Sequence, residues 1–215
     1  MSLTVWGRLN SINVQKVMWT LDEVGLAYEH VPAGGDFGLL DTPAFRTMNP
    51  NGAVPVIDDD GTVVWESGAI VRYLCAEHSN GALWPRDPRI RTQADQWMDW
   101  SQTSLQPNLS GFFWGWYRTP QAQRDGPRNA RMLRNTESEL AKLDALLAHR
   151  PYVGGQHLTM GDIPAGTLLY RYYEMVIERP TLPHVEAWYA RLAERPAYRA
   201  RVMRPFDDLL GRLAF

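Results

Sequence analysis

The stretch NGAVPVIDDDGTVVWESGAIVRYL, residues 51–74, places a proline inside an apolar run that otherwise predicts a buried strand. Proline has no backbone N–H to donate to a sheet ladder, so Pro55 belongs at an edge or at a bulge. DDDG, residues 58–61, predicts a hairpin turn between the strands VPVID and TVVWE. Ser67 then predicts the N-cap of a helix over SGAIVRYLCAEH. The segment therefore requires a sheet with an accessible strand end, followed at once by a helix.

The segments before this stretch predict alternating strands and a helix. LTVWG (3–7) and AYEHVPA (27–33) predict strands, because β-branched and aromatic residues are frequent in them. NVQKVMWTLDEVG (13–25) predicts a helix with one apolar face, and Gly25 marks its end. This β-α-β order implies a right-handed crossover and parallel pairing of the two strands. Residues 32–50, rich in Gly and Pro, predict a long loop.

The second part of the chain predicts helices almost throughout. Asp87 and Pro88 predict an N-cap followed by proline at the first helical position. Pro107 and Gly111 predict a kink in the long helical segment that follows. The starts of three later helices are marked by prolines, at Pro127, Pro183 and Pro196.

LTMGDI, residues 158–163, is the sharpest local signal for a helix start. Thr159 at the N-cap and Asp162 three residues later predict a variant of the capping box. Leu158 and Ile163 predict the hydrophobic staple that accompanies such a box. We expect this motif to have a structural role.

The distribution of charge also divides the chain into two parts. Residues 1–80 carry 4 basic against 10 acidic side chains, a net charge of −6. Residues 81–215 carry 18 basic against 14 acidic side chains, a net charge of +4. We place the boundary in SNGALWPRD (79–87), which predicts one domain over 1–80 and an all-helical domain over 87–215.

Composition excludes several classes of function. The overall net charge of −2 argues against a nucleic-acid binder, and no apolar run reaches the roughly 18 residues of a membrane span. With no signal-like N-terminus, we expect a soluble, cytoplasmic protein. Cys75 is the only cysteine and is predicted to lie in the core, so thiol chemistry would have to use a substrate thiol. No metal site is expected, because the histidines show no metal-like spacing: His30, His78, His149, His157 and His184.

The residues around Pro55 indicate a binding function for this part of the chain. Val54, before Pro55, is driven into an extended conformation, so its backbone can pair with an extended peptide ligand. The helix beginning at Glu66 and Ser67 offers free N–H groups for a carboxylate, and the Glu66 side chain offers an anion for an ammonium group. Together these residues predict a receptor for one end of a small peptide.

WGRLNSINVQKV (6–17) and NPNGAVPVIDDD followed by WESGAIVRYL (49–74) resemble the soluble glutathione transferases, in their bacterial members, over essentially the full length of the chain. The resemblance implies an α/β thioredoxin-like N-terminal domain of order β-α-β-α-β-β-α, followed by an all-α helical C-terminal domain. It also implies a cis peptide bond before Pro55, glutathione as co-substrate and a homodimer.

The same resemblance assigns the group that activates the glutathione thiol. Ser11 matches the activating serine of the theta-like and delta-like classes, and Asn13 matches an asparagine found two residues after the activator in bacterial members. A thiol of pKa near 8.5 is only about 3% ionised at pH 7, and lowering its pKa by two units takes roughly 2.7 kcal/mol. One or two hydrogen bonds to the thiolate, each worth roughly 1.5–3 kcal/mol, would suffice. Asn10 occupies the position of the reactive cysteine of another bacterial class, so mixed-disulfide chemistry through the protein is not expected.

The glutathione-binding residues are predicted in the same way, with one departure. Val54 and Pro55 bind its backbone, and Glu66 and Ser67 bind its α-amino-acid end. Many relatives have Lys or Gln before the Val-Pro pair to hold the glycine carboxylate, whereas this chain has Ala53. Asn51 is the suggested replacement, and a group in residues 34–38 is an alternative.

Two further segments carry predicted binding residues. SGFFWGWYRTP (110–120) is expected to line the pocket for the electrophile, through Phe113, Trp114, Tyr117 and Arg118, although core packing also explains some of these rings. The simplest alternative for Arg118 is a solvated row of arginines, and a further alternative is that one of them contacts an anionic substrate. The row consists of Arg118, Arg124, Arg128, Arg131 and Arg134. Asp99 is a candidate for the glutathione ammonium across a dimer interface, with an interhelix role as the alternative.

Three functions remain open from the sequence. The leading one is a glutathione transferase that presents the thiolate to a small electrophile, in conjugation, dehalogenation or peroxide reduction. The second is a glutathione-dependent disulfide reductase that binds two glutathiones, with Asn13 sharing in activation. The third is a non-catalytic binding or regulatory protein of the same fold, which the intact predicted ligand residues disfavour.

Overall fold

The computed structural model describes residues 2–213, so Met1, Ala214 and Phe215, which the predicted domain ranges include, lie outside the described residues. Its four-stranded sheet has the spatial order β2-β1-β3-β4, in which β1 pairs parallel with β2 and the other neighbours are antiparallel. This arrangement confirms the predicted β-α-β unit and the hairpin. The strands are β1 Leu3–Trp6, β2 Glu29–Val31, β3 Val56–Asp59 and β4 Thr62–Trp65.

Three helices belong to this sheet: α1 Ile12–Val24, α2 Pro43–Met48 and α3 Ser67–His78. Gly25 ends α1 in the left-handed conformation, as predicted. The composition-based prediction of a loop over residues 32–50 is wrong for α2. Thr42 accepts a hydrogen bond from the Phe45 N–H at 3.3 Å and a proline follows it, two strong helix-start signals that outweigh the surrounding glycines.

The structure corrects two boundaries around Pro55. The strand VPVID begins only at Val56, and it lies between β1 and β4 rather than at an edge. Pro55 directly precedes the strand, where its missing N–H interrupts no ladder, and the Val54–Pro55 bond is cis, as the resemblance implied. The N-cap of α3 is Glu66 rather than Ser67, because the Glu66 carbonyl accepts the first helical bond, from Ile70, while its own φ of 69° is not helical.

A continuous helical segment opens the second part of the chain. It contains α4 Pro88–Trp100 and α5 Gln106–Phe112, joined by a π-helical stretch at Ser101–Leu105 and continued by another at Phe113–Arg118. Asp87 caps α4 as predicted, accepting from the Arg89 N–H at 2.8 Å. The irregularity expected from Pro107 takes the form of the first π-helical stretch, because a residue without an N–H cannot continue the regular bonding pattern.

The remaining helices begin where prolines predicted them, except for the one whose start was predicted by LTMGDI. They are α6 Gly126–Leu147, α7 Asp162–Glu174, α8 Pro183–Ala193 and α9 Pro196–Arg201. The LTMGDI motif is only half a capping box. Its helix begins at Asp162 with Gly161 as N-cap, and Thr159 donates to Asp162 through both its N–H and its hydroxyl instead of capping the helix.

Helix α1 lies between the two parts of the molecule. One side of α1 packs on α3 beside the sheet, and the other packs on α7 and α9. Ion pairs hold its C-terminal end, with Glu23 2.5 Å from Arg195 and Asp22 2.6 Å from Arg201. We propose that the domain boundary lies in residues 79–87, between the end of α3 and the start of α4.

Cys75 lies in the core, as expected. Its side chain is fully buried among the apolar residues of the larger core cluster, and burial raises the pKa of its thiol to about 12. A thiol in this state is neither ionised nor accessible near neutral pH.

Candidate active site at the start of helix α1

Ser11 stands at the N-terminus of α1, directly after the loop that leaves β1. Its extended backbone makes it the N-cap, and its Oγ accepts a long hydrogen bond of 3.5 Å from the Val14 N–H. Accepting this bond occupies one lone pair of the oxygen and leaves the hydroxyl proton available for donation. Ser11 can therefore cap the helix and still donate a hydrogen bond to a bound thiolate.

Asn13 is held by two side chains that the sequence did not indicate. Its Oδ1 accepts hydrogen bonds from Lys16 Nζ at 3.0 Å and from Gln106 Nε2 at 3.1 Å. Because both donors use the oxygen, the Asn13 amide orientation is determined, and its Nδ2 is directed away from them. An amide N–H₂ group is thereby kept as a donor beside Ser11.

Lys16 is a buried cation that bridges the two domains. It is 1% exposed, and its Nζ also donates to Gln106 Oε1 at 2.5 Å. Burial lowers the pKa of Lys16 to about 7, while the charge of Glu66 acts in the opposite direction. The influence of Glu66 also shows that the start of α3 lies near this part of α1.

Ser11 and Asn13 border one cavity of about 250 Å³ together with residues of the helical domain. Phe113, Trp114 and Arg118, three of the four predicted electrophile-pocket residues, also line it. The predicted thiol activators and these three residues are thus brought to one place, although about 100 residues separate them in the sequence.

Tyr117, the fourth predicted pocket residue, does not border this cavity. Its ring stacks on Phe113 at 5.2 Å and meets the edge of Phe206 at 5.0 Å. Its place in the structure is therefore in the aromatic packing behind the cavity wall.

Arg118 is buried, at 1% exposure, whereas Arg128, Arg131 and Arg134 are exposed, so the idea of one solvated row of arginines is wrong for Arg118. Its Nε donates to the Arg212 carbonyl at 2.8 Å, and its guanidinium lies 3.8 Å from the centre of the Trp114 ring. Two further arginines, Arg8 and Arg171, line the same cavity and were not singled out from the sequence.

The predicted glutathione-binding residues are not among those that border the cavity. Val54 comes two residues before Val56, where the pairing of β3 with β4 begins opposite Trp65. The Val54 backbone therefore lies outside the β3–β4 ladder. A Cβ on Gly34 would lie 3.6 Å from the Val54 side chain and 3.0 Å from Arg8, which places the loop after β2 beside Val54. Gly34 has a φ of 81°, which favours glycine at this close approach.

Glu66 and Ser67 form the turn from β4 into α3. Glu66 is exposed and has φ 69° and ψ 117°, a sparsely populated conformation for a residue with a side chain. Such conformations concentrate at ligand sites. Ser67 is 3% exposed and begins the helix, so its N–H is among those without an intrahelical partner.

The surroundings of Ala53 supply a cation that the sequence did not reveal. Asn51 is exposed, and its N–H donates to Asn49 Oδ1 at 3.0 Å. Arg46 lies over the same turn. Its Nη1 donates to the Pro50 carbonyl at 3.0 Å, and a Cβ on Gly52 would come within 2.4 Å of its Cζ.

Asp99 forms an ion pair with Arg72 of α3, and its side chain is 71% exposed. Arg72 also binds Asp95 at 2.6 Å. This contact corresponds to the interhelix role that was the alternative for Asp99.

The residues that sequence reasoning missed share a property. Lys16, Gln106 and Arg171 act through contacts between the two domains, over as many as 161 residues of sequence. The one local signal is the placement of Lys16 three residues after Asn13, on the same side of α1. Within residues 2–213, no group of three or more His, Cys, Asp or Glu side chains could hold a metal ion, and no helix is long and apolar enough to cross a membrane.

In the comparison with known proteins, both domains match models of the same protein family. The family model "Glutathione S-transferase, N-terminal domain" matches residues 1–76, and "Glutathione S-transferase, C-terminal domain" matches residues 105–196. Glutathione S-transferase GstB of Escherichia coli (strain K12) is 39% identical, over 94% of this chain and 99% of its own length.

Solved structures agree with the sequence comparisons. The theta class glutathione S-transferase of the citrus canker pathogen Xanthomonas axonopodis pv. citri, with glutathione bound, has a TM-score of 0.91 and 49% identity, covering 95% of this chain and 98% of that one. Bombyx mori glutathione transferase BmGSTD1, at 21% identity and a TM-score of 0.86, shares the fold over 97% of this chain and 96% of its own. The chain therefore belongs to the glutathione S-transferase family, with a thioredoxin-like N-terminal domain followed by a helical C-terminal domain.

Proposed function

We propose that this protein is an enzyme that binds glutathione and activates its thiol as a thiolate for attack on a small electrophile. The observation that carries the proposal is the convergence of Ser11 and Asn13 with Phe113 and Trp114 on one cavity. Hydrogen-bond donors thus stand on one side of a small space, and aromatic surface stands on the other. Glutathione is the co-substrate, as in the family to which the chain belongs.

Ser11 and Asn13 are the proposed catalytic residues. The Ser11 hydroxyl proton and the Asn13 Nδ2 are two neutral donors, and the N-terminus of α1 adds positive potential at the same point. Hydrogen bonds that form to a charged acceptor are worth roughly 1.5–3 kcal/mol each. Together they can lower the thiol pKa by the two or so units that ionisation near neutral pH requires.

Three residues are proposed to hold the rest of glutathione. Val54, next to Pro55, pairs with its backbone, as an added strand would. Glu66 binds the α-ammonium and Ser67, at the start of α3, binds the α-carboxylate. The unusual backbone conformation of Glu66 supports this role, because the structure maintains a costly geometry at the predicted binding turn.

The test uses two substitutions of Ser11, because it is also a helix cap. Both Ser11→Ala and Ser11→Gly remove the hydroxyl, but glycine at an N-cap costs only a few tenths of a kcal/mol of stability, whereas alanine costs about 0.5–2 kcal/mol. The pKa of bound glutathione is read from its ultraviolet thiolate absorbance. We expect that pKa to rise, and kcat for a small electrophile to fall at least tenfold, in both variants alike.

Three outcomes would redirect the proposal. If Ser11→Gly keeps the low thiol pKa and only Ser11→Ala is impaired, Ser11 is a cap and not a thiol activator. A high rate on a small disulfide, together with poor rates on carbon electrophiles, would favour the disulfide reductase. Tight glutathione binding with no thiolate band would favour the non-catalytic binding protein.

We further propose a cytoplasmic homodimer. The outer strand β4 exposes Val63 and Trp65, and Ile90 near the start of α4 is 53% exposed, which provides apolar surface for a second copy. Asp99 is proposed to reach the glutathione ammonium of the second copy. Light scattering across a concentration series measures the oligomeric state, and cell fractionation measures the location.

A further inference from the structure

The cavity beside Ser11 has an unusual charge for a site that accepts an electrophile. Among residues 2–213, Arg8, Arg118 and Arg171 border it, and no Asp or Glu side chain does. Neutral electrophiles need only an apolar wall, which Phe113 and Trp114 already supply. The buried Arg171 among them therefore needs a separate explanation.

Arg171, on α7, is the most informative of the three. It is 8% exposed, its Nη2 donates to the Asn10 carbonyl at 2.5 Å, and its guanidinium lies 4.6 Å from the centre of the Phe113 ring. No Asp or Glu side chain among residues 2–213 forms an ion pair with it. Since Asn10 directly precedes Ser11, the buried cation stands next to the proposed thiol activator.

Acidic residues lie near Arg171 without forming an ion pair with it. The negative charge of Asp208 acts to raise the pKa of both Arg171 and Arg118. Asp208 also accepts a hydrogen bond from Asn10 Nδ2 at 3.3 Å. Arg212 is paired with Asp36 at 2.9 Å. Burial, together with the positive charges of Arg118 and Arg8, lowers the pKa of Arg171 to about 9.

These facts give an entering anion a specific advantage. A buried guanidinium has already been removed from water during folding, so an anion that binds it gains a charge-assisted bond without a new desolvation of the arginine. Only one of the five guanidinium N–H groups of Arg171 is used by the Asn10 carbonyl. Groups with several acceptor oxygens, such as carboxylate or sulfonate, match such a fork of donors.

We propose that this cavity selects electrophiles that carry a carboxylate or sulfonate group, with Arg171 as the principal specificity residue, assisted by Arg118 and Arg8. The inference rests on the proposed function, because the anion is bound beside the thiolate of glutathione. In the reaction the sulfur attacks the electrophilic carbon, a C–S bond forms, and the carbon–halogen bond breaks. The halide leaves with the bonding electron pair, and the thiol proton passes to solvent.

The alternative explanation is purely structural, with Arg171 holding the turn at Asn10. The two explanations differ in what they predict for substrate charge. A structural clamp would affect anionic and neutral electrophiles equally, whereas a specificity residue changes the ratio between them.

The first experiment measures binding and needs no catalysis. Calorimetry compares wild-type affinity for S-(4-carboxybenzyl)glutathione and S-(4-carbamoylbenzyl)glutathione, which differ by one charge at nearly constant shape. We expect the carboxylate to bind at least tenfold more tightly, equivalent to about 1.4 kcal/mol. Equal affinities would overturn the inference while leaving glutathione binding intact. If neither compound binds, the proposed function itself fails.

The second experiment measures turnover of 4-(chloromethyl)benzoate and 4-(chloromethyl)benzamide, each corrected for its uncatalysed rate. The quantity compared is the ratio of the two kcat/KM values, in which any loss of active enzyme cancels. Arg171→Gln should reduce the ratio at least tenfold, and Arg171→Lys, which keeps the charge, should reduce it less. Arg131→Gln, which removes the same charge from an exposed site on α6, should leave it unchanged.

The outcomes separate the inference from its alternatives. If Arg171→Gln lowers both rates and preserves the ratio, Arg171 is a structural clamp and the inference is overturned. If Arg131→Gln lowers the ratio as much, the preference comes from general surface charge and the inference is equally overturned. If Arg171→Gln does not fold, the wild-type binding comparison decides alone.

Discussion

Lys16 Nζ lies 3.0 Å from Asn13 Oδ1, on the buried side of the helix that begins at Ser11. Gln106, from the helical domain, contacts both residues, with its amide nitrogen 3.1 Å from Asn13 Oδ1 and its oxygen 2.5 Å from Lys16 Nζ. The orientation of the Asn13 amide is therefore determined by a contact between the two domains. If Asn13 acts on the thiol as proposed, its action depends on how the domains dock, and not only on the residues at the start of α1.

We predict that Lys16→Met weakens thiol activation without changing a residue that touches glutathione. The Asn13 amide loses one of its two fixed partners, and a nearby positive charge disappears, so the thiolate loses stabilisation. The pKa of bound glutathione should rise by about 0.5–1 unit, equivalent to about 0.7–1.4 kcal/mol. Thiolate absorbance against pH, alongside kcat, measures the effect.

Gln106→Met separates the loss of an Asn13 hydrogen bond from the loss of a positive charge, because it removes the other Asn13 donor without changing the charge. We expect a shift in the same direction in this variant and no shift in Lys142→Met, whose lysine is exposed on α6. A thiol pKa equal to that of the wild type in both Lys16→Met and Gln106→Met would contradict a positioning role for this cluster.

Lys16 should also give the protein a distinctive dependence of stability on pH. Its pKa is about 7 in the folded protein against an ordinary value of 10.5, so the unfolded chain holds the proton more tightly than the folded one. Between these values the unfolded state binds more protons, and the free energy of unfolding therefore rises with pH, by at most about 1.4 kcal/mol per unit.

Urea unfolding of the wild type and of Lys16→Met from about pH 7 to about pH 9 measures this contribution. The difference in unfolding free energy should move in favour of the wild type as the pH rises, because methionine has no proton to release. A difference that stays constant over this interval would show that Lys16 keeps an ordinary pKa in the folded protein.

Arg46 is expected to hold the glycine carboxylate of glutathione, which no side chain at Ala53 can bind. Its guanidinium is held over the Pro50–Gly52 turn by the Pro50 carbonyl and by an ion pair with Asp41, and like Asn51 it is exposed. We predict that Arg46→Ala raises KM for glutathione about three- to tenfold with little change in kcat, since this end of the ligand is remote from the sulfur.

Asn51→Ala is the matched comparison, because it lies in the same turn. Its effect on KM should be smaller than that of Arg46→Ala. A larger effect in Asn51→Ala would restore the original assignment of the carboxylate to Asn51. In glutathione ethyl ester the glycine carboxylate is esterified, so KM for this compound should not change in Arg46→Ala.

Asp162 should be one of the most sensitive positions for stability. Its fully buried carboxylate accepts hydrogen bonds from the Val153 N–H at 2.7 Å and from Trp188 Nε1 at 3.1 Å, besides the two from Thr159. In Asp162→Asn an amide N–H₂ would face donors and leave some of them without an acceptor. We expect a loss of about 2–5 kcal/mol in the free energy of unfolding.

Asp125→Asn provides the control for the same chemical change. Asp125 caps α6 at an exposed position, and asparagine is an equally good N-cap. Thermal and urea unfolding should show almost no change in this variant. A loss below about 1 kcal/mol in Asp162→Asn would mean that its hydrogen-bond cluster contributes little.

Local signals in the sequence were sufficient for most of the secondary structure. Prolines and caps marked helix starts, as at Asp87, because capping depends only on residues within one turn. The DDDG turn indicated the hairpin. The assignment of Ser11 as thiol activator came from the resemblance of residues 6–17 to a known family, and it stays a prediction. The errors were also local. Residues 32–50 concealed α2, and Ser67 was taken for the cap that Glu66 provides.

The tertiary structure decided what surrounds Ser11. Lys16 meets Gln106 across 90 residues, and Arg171 meets Asn10 across 161, so no local pattern reveals either contact. Arg118 likewise gives no sequence sign that it is buried, because burial depends on which helices pack over it. By itself the sequence determined most of the elements and the family, since these follow from local chemistry and recurring motifs. The charge of the cavity and the orientation of Asn13 depend on how the two domains dock, and only the tertiary structure shows this.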